Sequence, residues 1–297
     1  MTRFRFIASE KVACPGWTVT TMCRLLAVSR SGYYAWLTRP ASARALADEV
    51  LDAQIADVHA ASRGTYGAPR VHAELAHLGV HVGRKRVARL MRSAGLQGCS
   101  RRKFRRGTTV RDLAARPAPD LVERRFVADA PDRLWVADVT YVPTTAGWLY
   151  LAVVIDVFSR QVLGWSMAEH RKHALVVDAV KHAVARRGGK VGGVIHHSDQ
   201  GGEYTAHGLD VELRRHGVTA SMGSVADCYD NALAESFFAT LETELFDRHK
   251  FTTHREAKLA VFDYVETFYN RRRLHSSLGY LSPATFEARH QQLDLAC

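Results

Sequence analysis

Three strand-like runs in quick succession, "DRLWVADVTYVP", "GWLYLAVVIDVFSR" and "QVLGWSMAE", constrain this chain more than any other feature. They are rich in Val, Ile, Tyr and Trp and are separated by short turns at "TTAG" and "SR", the pattern of an antiparallel meander. An amphipathic helix, "HALVVDAVKHAVARRG", leads on to an apolar strand, "KVGGVIHH", then to a helix in "AHGLDVELRRHG" and a short strand, "VTASMG". Helices connecting the later strands predict a mixed sheet covered on both faces, an α/β domain. From "YDNALAESFFATLETELFDRH" onward the tail reads as helical.

The front of the chain has a different period. In "TVTTMCRLLAVSRSGYYAWL", the residues Val19, Met22, Leu25, Leu26, Val28, Tyr33 and Trp36 fit two short helices joined by a turn, a helix-turn-helix pattern. Ser29 or Ser31 caps the second helix, whose first turn presents Arg30, Ser31, Tyr33 and Tyr34 to a groove. A similar unit follows: Val71, Leu75 and Leu78 mark one helix, and Val87, Leu90 and Met91 mark the next. Gly79 and Gly83 punctuate the turn between them. Arg84, Lys85, Arg86, Arg89 and Arg92 lie on the outward sides of the second helix, a surface suited to phosphates. A basic linker with Arg101, Arg102, Lys103, Arg105, Arg106 and Arg111 then ends in a Pro-Ala-Pro stretch. It reads either as tracking a DNA backbone or as a hinge.

Charge follows the same division. Residues 1–125 hold 23 Lys and Arg against 9 Asp and Glu, whereas residues 126–297 hold 18 against 21. A basic front before a mildly acidic remainder is expected when one part neutralises phosphates and the other does chemistry. No apolar run approaches the ~18 residues of a membrane span, and "MTRFRFIASEK" lacks a signal-peptide pattern, so a cytoplasmic, non-membrane protein is expected. The five cysteines, Cys14, Cys23, Cys99, Cys228 and Cys297, are scattered and read as small hydrophobes, neither a disulfide framework nor a zinc ribbon.

Asp138 sits inside "LWVADVTYV", where an ionised carboxylate is costly unless paired or bound to metal. Asp199 follows the strand ending "VIHHSD", the position at which α/β sheets commonly hold ligands. Glu235 lies in the first turns of the helix opened by Asp230 and Asn231, with Asp227 and Asp230 doing turn and capping work. Three such acids converging on one point would hold two Mg²⁺ ions roughly 4 Å apart, the arrangement for phosphoryl transfer on a nucleic-acid backbone. His196 and His197 are poor Mg²⁺ ligands and read as supporting residues. Asp156 is a competing buried acid, with Arg160 its expected partner, and Gly201 and Gly202 allow a sharp turn beside the site.

"WVADVTYV", "HSDQGGEY" and "DNALAESFFATLE" resemble the signature blocks of the DDE transposases of insertion sequence family three, whose core is similar to that of retroviral integrases. The 35 residues between Asp199 and Glu235 match that family's spacing. The two front units and "YNRRRLHSSLGYLSPATFE" resemble its remaining segments in the same order. The resemblance implies a ribonuclease H-like α/β fold preceded by helical helix-turn-helix segments. It implies Asp138, Asp199 and Glu235 as ligands of two Mg²⁺ ions, with Mn²⁺ as an alternative. It implies cleavage and strand transfer at element ends without a covalent protein intermediate. Expected partners are double-stranded DNA (terminal inverted repeats and target), a first-frame partner protein, and further copies of the chain assembled on DNA at the nucleoid.

The expected domains are a helix-turn-helix segment over 1–45, a second over 46–100, a basic linker over 101–130, the catalytic core over 131–250 and a helical extension over 251–297. One departure concerns Glu242, which stands where the family usually has a DNA-contacting lysine; Arg271, Arg272, Arg273 and His275 are alternative cations. Two other readings remain open at this level. One is a catalytically impaired regulator that binds element ends, the other a general ribonuclease H-like nuclease that would leave the front units unused.

Overall fold

The computed structural model describes residues 2–14, 16–100, 120–122, 126–189, 191–223 and 232–294. The chain divides into two compact units, Met1–Ala56 and Asp57–Cys297. In the first, α1 (Arg3–Ala13), α2 (Val19–Leu25) and α3 (Arg30–Thr38) precede the long helix α4 (Ala43–Ala61), which carries the boundary. Ile7, Val19, Met22, Cys23 and Tyr33 form the small core here. Ser29, not Ser31, caps α3 by accepting the Gly32 N–H at 3.0 Å.

The second unit begins with the helix pair α5 (Ala68–His77) and α6 (Arg84–Ser93), packed through Val71, Leu75, Val87, Leu90 and Met91. Leu78 is not part of that core: it closes α5 and stays exposed, and Gly79 takes the left-handed conformation that turns the chain.

The sheet has the order β3-β2-β1-β4-β5, built from β1 (Leu134–Thr144), β2 (Gly147–Asp156), β3 (Val162–Ala168), β4 (Ile195–Ser198) and β5 (Thr219–Met222). The first three strands form the antiparallel meander, and β4 and β5 add in parallel on the other side of β1. Parallel pairing needs crossovers, and α7 (His173–Arg186) and α8 (His207–Arg215) provide them. Trp135, Ala152, Val154, Leu175, Ala179 and Leu209 belong to the core between these helices and the sheet. Gly164 lets α7 lie directly on β3, since a Cβ there would stand 2.0 Å from the Ala179 carbonyl oxygen.

On the other face α9 (Ala232–Leu241) packs against β1. A wider helical turn continues it over Glu242–Phe246, and then come α10 (His254–Phe262), a second wide turn (Asp263–Tyr269) and α11 (Pro283–Asp294). The tail covers the edge strand β3. Asn270 accepts from the Val162 N–H (3.0 Å) and donates to its carbonyl (2.9 Å), as a further strand would.

Candidate active site

Asp138 lies mid-strand in β1, opposite Val153 of β2, and β4 pairs with β1 only as far as Val136. Beyond Val136 the β4 side of β1 has no strand partner among the described residues, and there the chain leaving β4 sets Asp199. Glu235 comes from the first turn of α9, which is held in place by Leu233, Ala234, Phe237 and Leu241. The fold thus brings the three acids into one neighbourhood. The Asp138 carboxyl is pushed up to about 7, first by burial and then by the charges of Asp199 and Glu235. Burial also raises Glu235.

Few internal bonds satisfy these carboxylates. Asp138 Oδ1 accepts the Val139 N–H at 2.7 Å, and Asp199 Oδ1 accepts the Gly201 N–H at 3.0 Å. None of the three forms an ion pair with a basic side chain among the described residues. The phenol of Tyr204 is buried beside them with no hydrogen-bond partner among the described residues. Burial, then Asp138, Asp199 and Glu203, hold that phenol far above its ordinary range.

An all-carboxylate donor set suits a hard divalent cation such as Mg²⁺. Among the described residues no group of three or more His, Cys, Asp or Glu side chains is drawn together closely enough to hold a metal ion. The fit to the ion rests on the chemistry of the donors, which are carboxylates without a basic partner among those residues.

Several expected residues take other roles. Tyr33 is 2% exposed, in the core of the first unit, while Arg30, Ser31 and Tyr34 face solvent on α3. A groove-facing Tyr33 is therefore corrected: ring packing against Phe4 and Trp36 claims the side chain. Arg84, Lys85, Arg89 and Arg92 are exposed on α6, with Arg86 half-buried. Arg101, Arg102 and Lys103, like Asp227, Asp230 and Asn231, lie outside the described residues.

His196 and His197 are buried; burial lowers His196 to about 4, and His197 Nδ1 lies 2.9 Å from Ser221 Oγ. Gly201 is needed for space, because a Cβ would meet Asp199 Oδ1 at 3.0 Å, whereas Gly202 has open space around it. The chain does turn here, with the Tyr204 N–H donating to the Gly201 carbonyl at 2.9 Å, but neither glycine has positive φ.

Asp156 is bonded differently from expectation. Its carboxylate accepts the Ser159 N–H (2.7 Å), the Ser159 hydroxyl (2.8 Å) and the Asp132 N–H (2.9 Å). Arg160 gives only its backbone N–H, to the Asp156 carbonyl. Glu242 is exposed at the start of the wide turn after α9, and Arg271 and Arg272 are exposed on the tail. Arg273 and His275 are not available to DNA. Arg273 is 4% exposed and holds buried Glu244 through Nη2 (2.6 Å) and Nε (2.9 Å), with the Tyr264 hydroxyl donating to the same carboxylate at 2.8 Å. His275 is pushed down to about 2 by burial and by Arg273 and Arg70.

Sequence reasoning missed Glu203, Tyr204 and Arg171. Buried Glu203 binds Arg171 through its Nε (2.7 Å) and Nη2 (2.6 Å). The signal for Glu203 and Tyr204 was the "GGEY" at 201–204, two residues past Asp199.

The integrase core domain family matches residues 128–228 and again 216–283, and the HTH-like domain family matches residues 45–104. An uncharacterized 31 kDa protein of insertion element IS600 from Shigella sonnei is 41% identical over 272 residues, which cover 92% of this chain and 99% of that protein. Transposase InsF for insertion sequence IS3A from Escherichia coli (strain K12) is 39% identical over 272 residues, 91% of this chain and 94% of its own length. Among solved structures, the catalytic core domain of BIV integrase aligns with a TM-score of 0.41 at 17% identity, covering 55% of this chain and 99% of its own.

Proposed function

The chain belongs to the transposases of insertion sequence family three, and from that premise we propose that Asp138, Asp199 and Glu235 are the residues at which element DNA is cut and joined. The protein is a polynucleotidyl transferase with a ribonuclease H-like integrase core and a DNA-binding HTH-like domain. The single observation that carries the site assignment is the half-buried Asp138 carboxyl beside two further carboxylates, with one hydrogen bond to satisfy it among the described residues. A partly desolvated anion placed among anions is costly unless a cation joins it.

The ions are two Mg²⁺, with Mn²⁺ as an alternative, and when bound they activate the attacking oxygen and stabilise the leaving one. Asp138 would hold an ion through its carboxylate. Asp199 and Glu235 bring oxygens from the end of β4 and from α9, so a strand and a helix fix the site from two sides. Tyr204 remains protonated, an O–H donor at the floor of the site. Arg30 and Ser31 on α3, and Arg84, Lys85, Arg86 and Arg89 on α6, hold the terminal repeats, with Arg101, Arg102 and Lys103 following the backbone. A first-frame partner protein and further copies of the chain complete the assembly that holds two ends. Its work is done in the cytoplasm, at the nucleoid.

The test is a strand-transfer assay with labelled element-end DNA and Mg²⁺, with the partner protein present. Wild type is expected to form joined product, and Glu235→Gln and Asp199→Asn to form none while still binding the ends. Joining by Glu235→Gln would overturn the site assignment, and end binding by wild type without any joining would overturn the enzyme reading.

A further inference from the structure

The hairpin of β1 and β2 runs past the helices that cover its inner half. Residues directly opposite in such a pair share a face, and Tyr141 stands opposite Tyr150 and Pro143 opposite Trp148. Inward, this face continues through Val139 and Ala152 into the core beneath α7 and α8. Outward its rings are bare: Trp148 is 60% and Tyr141 50% exposed. The Tyr141 ring stands edge-on to Trp148 at 5.9 Å between centroids and lies 5.1 Å from Tyr150. Two exposed rings clustered with the half-buried Tyr150, which packs against the core, mark a binding surface.

The rim of the cluster identifies its occupant. Arg171, at the entrance to α7, is anchored on buried Glu203, and its Nη1 lies 3.5 Å from the Tyr141 hydroxyl. It belongs to the basic run "HRKH" at 170–173. Glu203 in turn lies beside Asp199, since a Cβ added at Gly201 would stand 3.0 Å from Asp199 Oδ1 and 3.1 Å from the Glu203 carboxyl. Arg171 therefore links the patch, through Glu203, to the acidic site at Asp199. Flat apolar rings beside a fixed cation fit a ligand that is itself flat and anionic. A nucleic-acid strand offers both, whereas an apolar protein surface would bury the Arg171 charge.

We propose that Tyr141, Trp148 and Tyr150, with Arg171 at their edge, form a stacking shelf for an unpaired base of the DNA strand engaged at the acidic site. This rests on the transposase reading and adds a single-strand subsite to it.

The test measures binding of a fluorescently labelled dT₁₂ strand to the full chain. Trp148→Ala and Tyr141→Ala are each expected to weaken it roughly tenfold, with Trp148→Phe retaining most of the affinity. Duplex binding should change less than about twofold, being carried by the helical units. Unchanged dT₁₂ affinity in both alanine variants overturns the shelf. So does a change of oligomeric state in Trp148→Ala at constant dT₁₂ affinity, which would make the patch an interface between copies. Glu235→Gln separates the two readings, since it should abolish joining and leave dT₁₂ binding intact. A wild type that joins ends but binds no dT₁₂ overturns the shelf alone, and one that binds dT₁₂ through Trp148 but never joins overturns the transposase site alone.

Discussion

Asp138 and Asp156 stand on neighbouring strands of one sheet, each an acid set among apolar residues, and the fold treats them differently. Asp156 receives three donors, two from Ser159 in the turn that follows it and one from the Asp132 amide before β1, and these oppose the upward push of its burial. Asp138 receives one donor and two acidic neighbours. Glu244, buried like Asp156, is paired with Arg273. Desolvation raises both Asp138 and Asp156, so it does not by itself distinguish a structural carboxylate from the proposed catalytic one. What distinguishes them is whether the protein itself supplies the compensation.

The largest effect that could break this comparison is on catalysis. Asp138→Asn should lower end joining by about a thousandfold or more, the size expected when several kcal/mol of metal-assisted transition-state stabilisation is lost. The metal-free variant should melt no lower than wild type, because it no longer sets a partly desolvated acid beside Asp199 and Glu235. A melting temperature several degrees below wild type would place Asp138 with the structural acids instead.

Next in size is Arg273→Met, which strands the Glu244 charge and should cost about 3–5 kcal/mol in urea unfolding. A loss under about 1 kcal/mol would show that the pair is dispensable. Asp156→Ala leaves the Ser159 and Asp132 amides without an acceptor and should cost about 2–4 kcal/mol, while protein that stays folded keeps its joining activity. Loss of joining at unchanged stability would move Asp156 into the site and dissolve the contrast.

Acidity sharpens the comparison further. Asp138 has a folded value of about 7, above the ~3.9 of an unfolded chain. Folded protein thus holds a proton that unfolded chain releases, and this contribution to stability is complete below about pH 4 and lost as pH rises through about 7. His275 has the opposite sign: its folded value of about 2 lies below the ~6.5 of an unfolded chain. Its contribution is present above about pH 6.5 and lost on acidification. Unfolding midpoints in EDTA across this range should lose the first slope in Asp138→Asn and the second in His275→Gln. An unaltered slope in either variant refutes the corresponding assignment.

The smallest effect concerns the front of the chain. Arg84→Ala should reduce the salt dependence of duplex binding by about one unit of slope, with joining per bound complex unaffected. A changed joining rate at saturating protein would show that α6 acts on the chemistry and not only on affinity.

Much of this was legible in order along the chain. Alternating Val, Ile and Tyr announced β1, β2 and β3, and the helical period placed α7, because local patterning follows directly from which face of a strand or helix is buried. The separation of Asp199 from Glu235, and the placing of Asp138 within an apolar strand, singled out the acids before any contact was known. The sequence also showed the basic front, since charge needs no folding to be counted.

Only tertiary structure decided which member of a similar pair does what. Tyr33 and Tyr34 are adjacent in "GYYAW", yet one is core and the other surface. Arg271, Arg272 and Arg273 form one run, yet only the last turns inward to Glu244, 29 residues earlier. Asp156 and Asp138 have similar local surroundings and opposite compensation. In each case the deciding partner is a backbone amide or a side chain brought in by the fold, and the energy of a buried charge depends on those neighbours rather than on the residue itself.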